Sequence, residues 1–168
     1  GVSDIMIGMP RFCSQRLKAA HPEAILIGEV YNPALYRAYI ASGFDYLYDK
    51  VGMYDCLRGV VCQQRAASEI TAQWQATDDI RDRMLYFLEN HDEQRIASDF
   101  FCGDARKALP AMMVSAWLRT NPVMVYAGQE WGERGMDHEG FSGVDGRSTI
   151  FDYWTVRAVY QGYFDRSS

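Results

Sequence analysis

Hydrophobic residues along this chain fall into two patterns that alternate: short, mainly apolar runs, and longer stretches with apolar positions at helical spacing. The runs occupy residues 25–30, 44–48, 84–88 and 123–126. A run of this kind reads as a strand covered on both faces, the habit of parallel sheets. Helical spacing fills the gaps. Over residues 9–20, Pro10 suits a first turn, Phe12, Cys13, Leu17 and Ala20 share a side, and His21-Pro22 ends the helix. Asn32-Pro33 is an N-cap followed by proline, with Leu35, Tyr36, Tyr39 and Ile40 in phase up to Gly43. Two further helical pieces, 54–62 and 68–75, should bury Leu57, Val61, Ile70 and Trp74. The next helix, from an Asp104 cap to Leu118, carries a stripe of Leu109, Met112, Met113, Ala116 and Trp117, and Pro110 demands a kink or a later start. Trp74 and Trp117 are expected in the core. Residues 135–154 are polar, glycine-rich and aromatic without periodicity, as a substrate-side loop would be.

This alternation predicts an α/β fold with four parallel strands joined by right-handed crossovers. Four such strands leave two open sheet edges. Further chain upstream, or self-association through those edges with a second copy, is expected to cover them. The start at Gly1 without Met points to the first alternative.

Two apolar runs break off at acids. Residues 84–88 run into Glu89-Asn90-His91-Asp92-Glu93-Gln94-Arg95, and residues 25–30 contain Glu29. Ligands of parallel α/β sheets bind at the carboxyl ends of strands, so these junctions are the candidate site. Charge narrows the ligand. With 17 Lys and Arg against 22 Asp and Glu, a net charge of −5 and no basic cluster, neither nucleic acid nor an anionic membrane surface is an expected partner. No apolar run approaches the ~18 residues of a membrane span. Cys13, Cys56, Cys62 and Cys102 lack the spacing of a zinc site and lean toward a reducing interior. Asp137-His138-Glu139 reads as a solvated loop, and no cofactor is evident. Glu89 and Glu93 suit ion pairs, with Arg95 as a partner, and Glu130 and Glu133 suit structural roles.

Three segments, Ile27-Gly28-Glu29-Val30-Tyr31, Phe87-Leu88-Glu89-Asn90-His91-Asp92 and Val125-Tyr126-Ala127-Gly128-Gln129-Glu130-Trp131-Gly132, together resemble one family. In order and spacing, over about residues 10–154, they look like the ends of the fifth, seventh and eighth barrel strands of the α-amylase family, glycoside hydrolase family 13. The resemblance implies a (β/α)8 TIM barrel of which this chain supplies about the last four βα units. It implies retaining hydrolysis of α-glucosidic linkages in starch-like glucans or maltooligosaccharides. Glu29 matches the family's general acid/base, Asp92 its third carboxylate, which stabilises the distorted sugar ring, and His91 the histidine bonded to that ring. Calcium is implied only for an insert of the intact protein.

The chemistry of the residues suits those roles. Such hydrolysis needs one protonated and one ionised carboxyl. Gly28 leaves room for a sugar beside Glu29, apolar neighbours would keep Glu29 protonated, and Asn90, His91 and Arg95 would keep Asp92 ionised. Among Tyr31, Trp131, Phe141, Tyr153 and Trp154, we single out Tyr31 and Trp131 as sugar-stacking platforms. The match departs at the front. The family's nucleophile is an Asp in a Gly-x-Arg-x-Asp pattern, whereas this sequence offers Gly1-Val2-Ser3-Asp4, with Gly8 where the family has a His. The nucleophile, the first four strands and the insert are therefore expected upstream, and the chain alone is expected to be inactive. The same carboxylates serve α-glucosyl transfer or isomerisation, and a barrel remnant that only binds sugar or assembles is the non-catalytic alternative.

Overall fold

The computed structural model describes residues 2–137, 144–148 and 156–164, with side chains from residue 8 onward. Helix α1 (Val2–Ala20) leads into strand β1 (Ile27–Gly28), then α2 (Tyr36–Ala41) and β2 (Tyr46–Tyr48). After these come α3 (Asp55–Val61), α4 (Glu69–Ala76), β3 (Met84–Phe87), α5 (Leu109–Trp117), β4 (Val123–Met124) and α6 (Arg157–Phe164). The protein is α/β, with one four-stranded sheet in the order β1-β2-β3-β4. All three pairings are parallel, with Ile27 opposite Tyr46, Leu47 opposite Met84 and Tyr86 opposite Val123. Among the described residues each strand lies beside its predecessor in sequence, so the strand order does not reverse there.

Local signals account for the boundaries. Asn32 Oδ1 accepts the Ala34 amide at 3.1 Å and Pro33 opens the turn that feeds α2. Asp104 caps the next helical segment through the Arg106 amide at 2.9 Å. Pro110 sits in the first turn of α5, where a missing amide costs nothing, which is the later start that its position predicts. The strands are shorter than the apolar runs, and α1 reaches further toward the N-terminus than periodicity suggests. A π-turn, Lys50–Tyr54, precedes α3, and α6 had no counterpart in the hydrophobic pattern.

The core gathers on β2 and β3. Met84, Leu85, Tyr86, Phe87 and Leu88 are all buried, as a doubly covered strand requires, together with Leu47, Met53, Tyr54 and Leu57. Phe87 stacks on Tyr54 at 4.8 Å and meets Tyr48 edge-on at 5.3 Å, contacts that add to area burial and clamp α3 to the sheet. Ile70 and Trp74 pack at the margin of this core.

The outer elements correct the expectation for α5. Leu109, Met113 and Trp117 are 59%, 54% and 75% exposed, while Ala108, Ala111 and Ser115 face inward. The helix is apolar on nearly all sides, so periodicity could not tell which stripe meets the sheet. Trp117 is therefore not core. On the opposite margin, Met9, Phe12 and Leu17 of α1 and Ile25 and Ile27 at β1 are likewise exposed.

Candidate functional site

Strand β1 ends at Gly28, and the chain continues through Glu29, buried Val30 and Tyr31. Gly28 is itself buried, and a Cβ there would lie 2.9 Å from Leu47 and 3.0 Å from Phe44. The residue makes room for its own core rather than for a ligand. The backbone alternates, so Glu29 and Tyr31 both reach outward, and the Tyr31 hydroxyl donates to Glu29 Oε1 at 2.8 Å. Glu29 is exposed, not set among apolar side chains as the sequence suggests.

After β3, Asn90 turns its side chain back on the chain. Its Oδ1 accepts the amides of Asp92 and Glu93, both at 2.9 Å, and this turn presents His91 and Asp92 to solvent. His91 Nε2 lies 3.4 Å from Asp92 Oδ2, with both side chains about half exposed. Arg95 and Asn90 thus act on the backbone and on Glu89, not on the Asp92 carboxylate.

The two strand ends come together electrostatically. The Tyr31 phenol is pushed up to about 12, first by its hydrogen bond to Glu29, then by burial and by the charges of Glu29, Asp92 and Glu93. The Tyr48 phenol at the end of β2 is raised by burial and by Glu29. One acidic rim therefore joins residues 29–31, Tyr48 and residues 91–93. Arg147 faces it from the loop segment 144–148: its hydrogen bond to Asp145 dominates, and Asp92 and Glu93 further favour its charge.

Beneath the rim lies a polar framework. Glu93 takes Lys50 at 3.1 Å and Arg58 at 3.3 Å, and accepts the Tyr54 hydroxyl at 3.0 Å. Arg58 also donates to Gln94 at 2.7 Å. Burial works against the Lys50 charge, but its bonds to Asp55 and Glu93 outweigh that and raise its pKa. Glu89 and Arg95 form a buried pair at 2.8 Å, and Glu89 Oε1 accepts the Ile96 amide at 2.8 Å. Burial pushes the Glu89 carboxyl up, against the charge of Arg95 and the Ile96 amide. Arg95 further donates to the Ala127 carbonyl at 2.8 Å and to Ser148 at 3.1 Å, and lies 4.3 Å over the Tyr126 ring. Gly135, at φ +58°, passes so close that a Cβ would meet the Gly146 carbonyl at 2.8 Å. Asp49, also buried, is raised to about 6 because burial outweighs the Gly52 and Met53 amides and the Tyr36 hydroxyl. Those neighbours fall short of well-formed hydrogen bonds to its oxygens.

Trp131 stands elsewhere. It lines an apolar cavity of about 660 Å³ with Leu88, Met112, Val125 and Arg134, and none of Glu29, Tyr31, His91 or Asp92 lines that cavity. The indole also closes on Gly162 of α6, where a Cβ would lie 2.7 Å from the ring. Glu133 is structural: it accepts the amides of Gly135 and Ala158, both at 2.9 Å. Glu130 accepts the Gly128 amide at 3.0 Å. Asp4 lies within α1 rather than at a strand end, and its side chain is outside the described residues. So are His138, Glu139, Phe141, Tyr153 and Trp154, while Asp137 pairs with Arg157 at 3.1 Å.

Among the described residues no group of three His, Cys, Asp or Glu side chains is placed to hold a metal ion, and no helix is long and apolar enough to cross a membrane. Sequence reasoning missed Lys50, Tyr48, Arg58 and Arg147. Tyr48-Asp49-Lys50 carried a usable signal, a third apolar run ending in charge, whereas Arg147 sits in a stretch without periodicity. No protein-family model matches the chain, and no curated protein matches it at a significant level.

Proposed function

We propose that this chain is the part of an α-amylase-type (β/α)8 barrel that carries the acid/base, and that its rim binds α-linked glucans. What carries this reading is the convergence of Glu29 and Tyr31 with His91 and Asp92 at the carboxyl ends of β1 and β3, which flank β2 in one parallel sheet. The strand order favours a singly wound barrel over a doubly wound sheet, which would reverse direction at a switch point. The apolar margins at α1 and α5 favour further βα units, or a second copy, beyond β1 and β4.

In this reading Glu29 protonates the glycosidic oxygen and then takes a proton from water, with Tyr31 as its hydrogen-bond partner. Asp92 and His91 hold ring hydroxyls, with Asn90 setting the turn that presents them. In this reading the nucleophile lies outside the described residues, and without one a retaining mechanism cannot form its glycosyl intermediate. The chain by itself then binds without turnover. No step is assigned to calcium.

Titration of the chain with maltoheptaose, followed by NMR shifts of the Tyr31 ring and the His91 imidazole, tests the reading. Saturable binding that is lost in Asp92→Asn, with no response to a β-linked cello-oligosaccharide, is expected. Equal response to both sugars, or none, overturns it. Hydrolysis of an aryl α-glucoside by this chain would overturn the prediction of inactivity.

A further inference from the structure

Helix α3 and the loop after the His91-Asp92 turn enclose a second surface cavity, of about 400 Å³, which none of Glu29, Tyr31, His91 or Asp92 lines. Cys62 and Cys102 both line it, with Arg58 and Lys107 beside them. Cys62 caps α3, its amide donating to the Arg58 carbonyl at 2.9 Å, and its thiol lies 3.4 Å from the Phe101 carbonyl oxygen. That carbonyl belongs to the peptide unit leading into Cys102, which puts the Cys62 sulfur within about 6 Å of the Cys102 Cα by peptide geometry. Cys102 stands on a tightly bonded turn: its amide donates to Ile96 at 3.2 Å and the Gly103 amide to Ser98 at 2.8 Å. Its thiol makes only weak bonds, to the Ile96 and Asp104 carbonyls, both at 3.2 Å. Rotation of the two side chains and a small movement of the helix end bring the sulfurs to bonding distance.

The other cysteines differ. Cys13 is exposed on α1 and Cys56 is buried. Cys62 and Cys102 share a cavity, and the cations there suit an anionic reagent. Lys107 donates to the Cys102 carbonyl at 3.3 Å, and Arg58 lies one helical turn before Cys62.

We propose that Cys62 and Cys102 form a redox modification site, which an anionic disulfide of the glutathione class converts to an intramolecular disulfide. The Cys62 thiol meets one carbonyl where the Cys102 thiol is held to two, and burial pushes the Cys102 thiol up, so Cys62 attacks first. Its thiolate displaces one glutathione thiolate, which takes up the proton that Cys62 lost, and leaves a mixed disulfide. The Cys102 thiolate then attacks the Cys62 sulfur and releases the second glutathione. Two protein thiols are oxidised and one external disulfide is reduced to two thiols. The new bond ties the end of α3 to the loop at residues 93–104, which Arg58 already holds through Glu93, Gln94 and the Phe100 carbonyl.

The test is to expose the reduced chain to oxidised glutathione at neutral pH, block free thiols, and map the peptides by mass spectrometry without reduction. The linked Cys62–Cys102 peptide should exceed the glutathione adducts at these two positions at least tenfold, because the second step is intramolecular, while Cys13 carries glutathione. Glutathione on both Cys62 and Cys102 without a link, or both thiols free while Cys13 has reacted, overturns the proposal. In Cys102→Ser the reaction should stop at glutathione on Cys62. A Cys62 that stays unmodified there overturns the order of attack.

Discussion

Two pairs of polar residues at the end of β3 differ in almost everything except their place in the sequence. Glu89 and Arg95 have side chains 2% and 1% exposed and are bonded on several sides. His91 and Asp92, between them, are about half exposed and touch each other at 3.4 Å. Residue type does not separate framework from candidate chemistry here; burial and the number of partners do. The inner pair joins residues 89, 95, 96, 127 and 148, so it holds the loop whose tip presents the outer pair. A rim left free for a ligand needs a framework that uses up its own hydrogen bonds.

The contrast breaks most visibly at Arg95. Arg95→Ala leaves Glu89 buried without its cation, and urea denaturation should register a loss of about 3–5 kcal/mol. Replacing both partners, Glu89→Leu with Arg95→Met, should recover much of it, because the penalty lies in the unpaired charge. A single-variant loss below about 1 kcal/mol would mean that the pair is not the framework.

Asp49 sharpens the comparison as a buried carboxylate acted on by the charge of Arg119 but held in no ion pair among the described residues. Its folded-state pKa of about 6 lies above the ordinary value of 3.8, so the native protein holds the proton more tightly than the unfolded chain. Its contribution is fully present below about pH 4 and is lost as pH rises through 6, by about 3 kcal/mol in total. Asp49→Asn should flatten the stability profile between pH 4 and pH 7, and an unchanged slope would assign that pH dependence to other groups.

At the rim the effects are local. Glu29→Gln should bring the Tyr31 phenol back from about 12 toward 10, read by ultraviolet titration, because the hydrogen bond to Glu29 is the largest cause of its rise. If Tyr31 stays high, burial rather than Glu29 controls it. The smallest change in stability belongs to Asp92→Asn and His91→Ala, within about 0.5 kcal/mol by the same denaturation, since neither is buried. Loss of maltoheptaose binding without loss of stability would separate the two regions completely.

Much of this organisation was legible in the residues. The run at 84–88 became the buried strand it promised, Asn32, Asp104 and Pro110 act where capping and proline chemistry put them, and Arg95 pairs with Glu89. Less legible were the outer helices. In α5 the apolar residues cover too wide an arc for periodicity to choose a face, and the small residues Ala108, Ala111 and Ser115 turned inward while Trp117 turned out.

Gly28 and Trp131 show the same limit at the site. A glycine beside an acid suggests space for a ligand, yet its neighbours Leu47 and Phe44 come from other elements and fill that space. Trp131 follows a strand end as a sugar platform would, yet it lines a cavity apart from the carboxylates. By itself the sequence determined the alternation of strands and helices, their caps, and the strand ends at which charge collects, because these depend on neighbours within a few residues along the chain. Tertiary structure alone decided which apolar stripe is buried, that Glu29, Tyr31 and Asp92 share one rim while Trp131 does not, and that Cys62 and Cys102 line one cavity. Those outcomes depend on contacts between residues tens of positions apart, and local spacing carries no record of them.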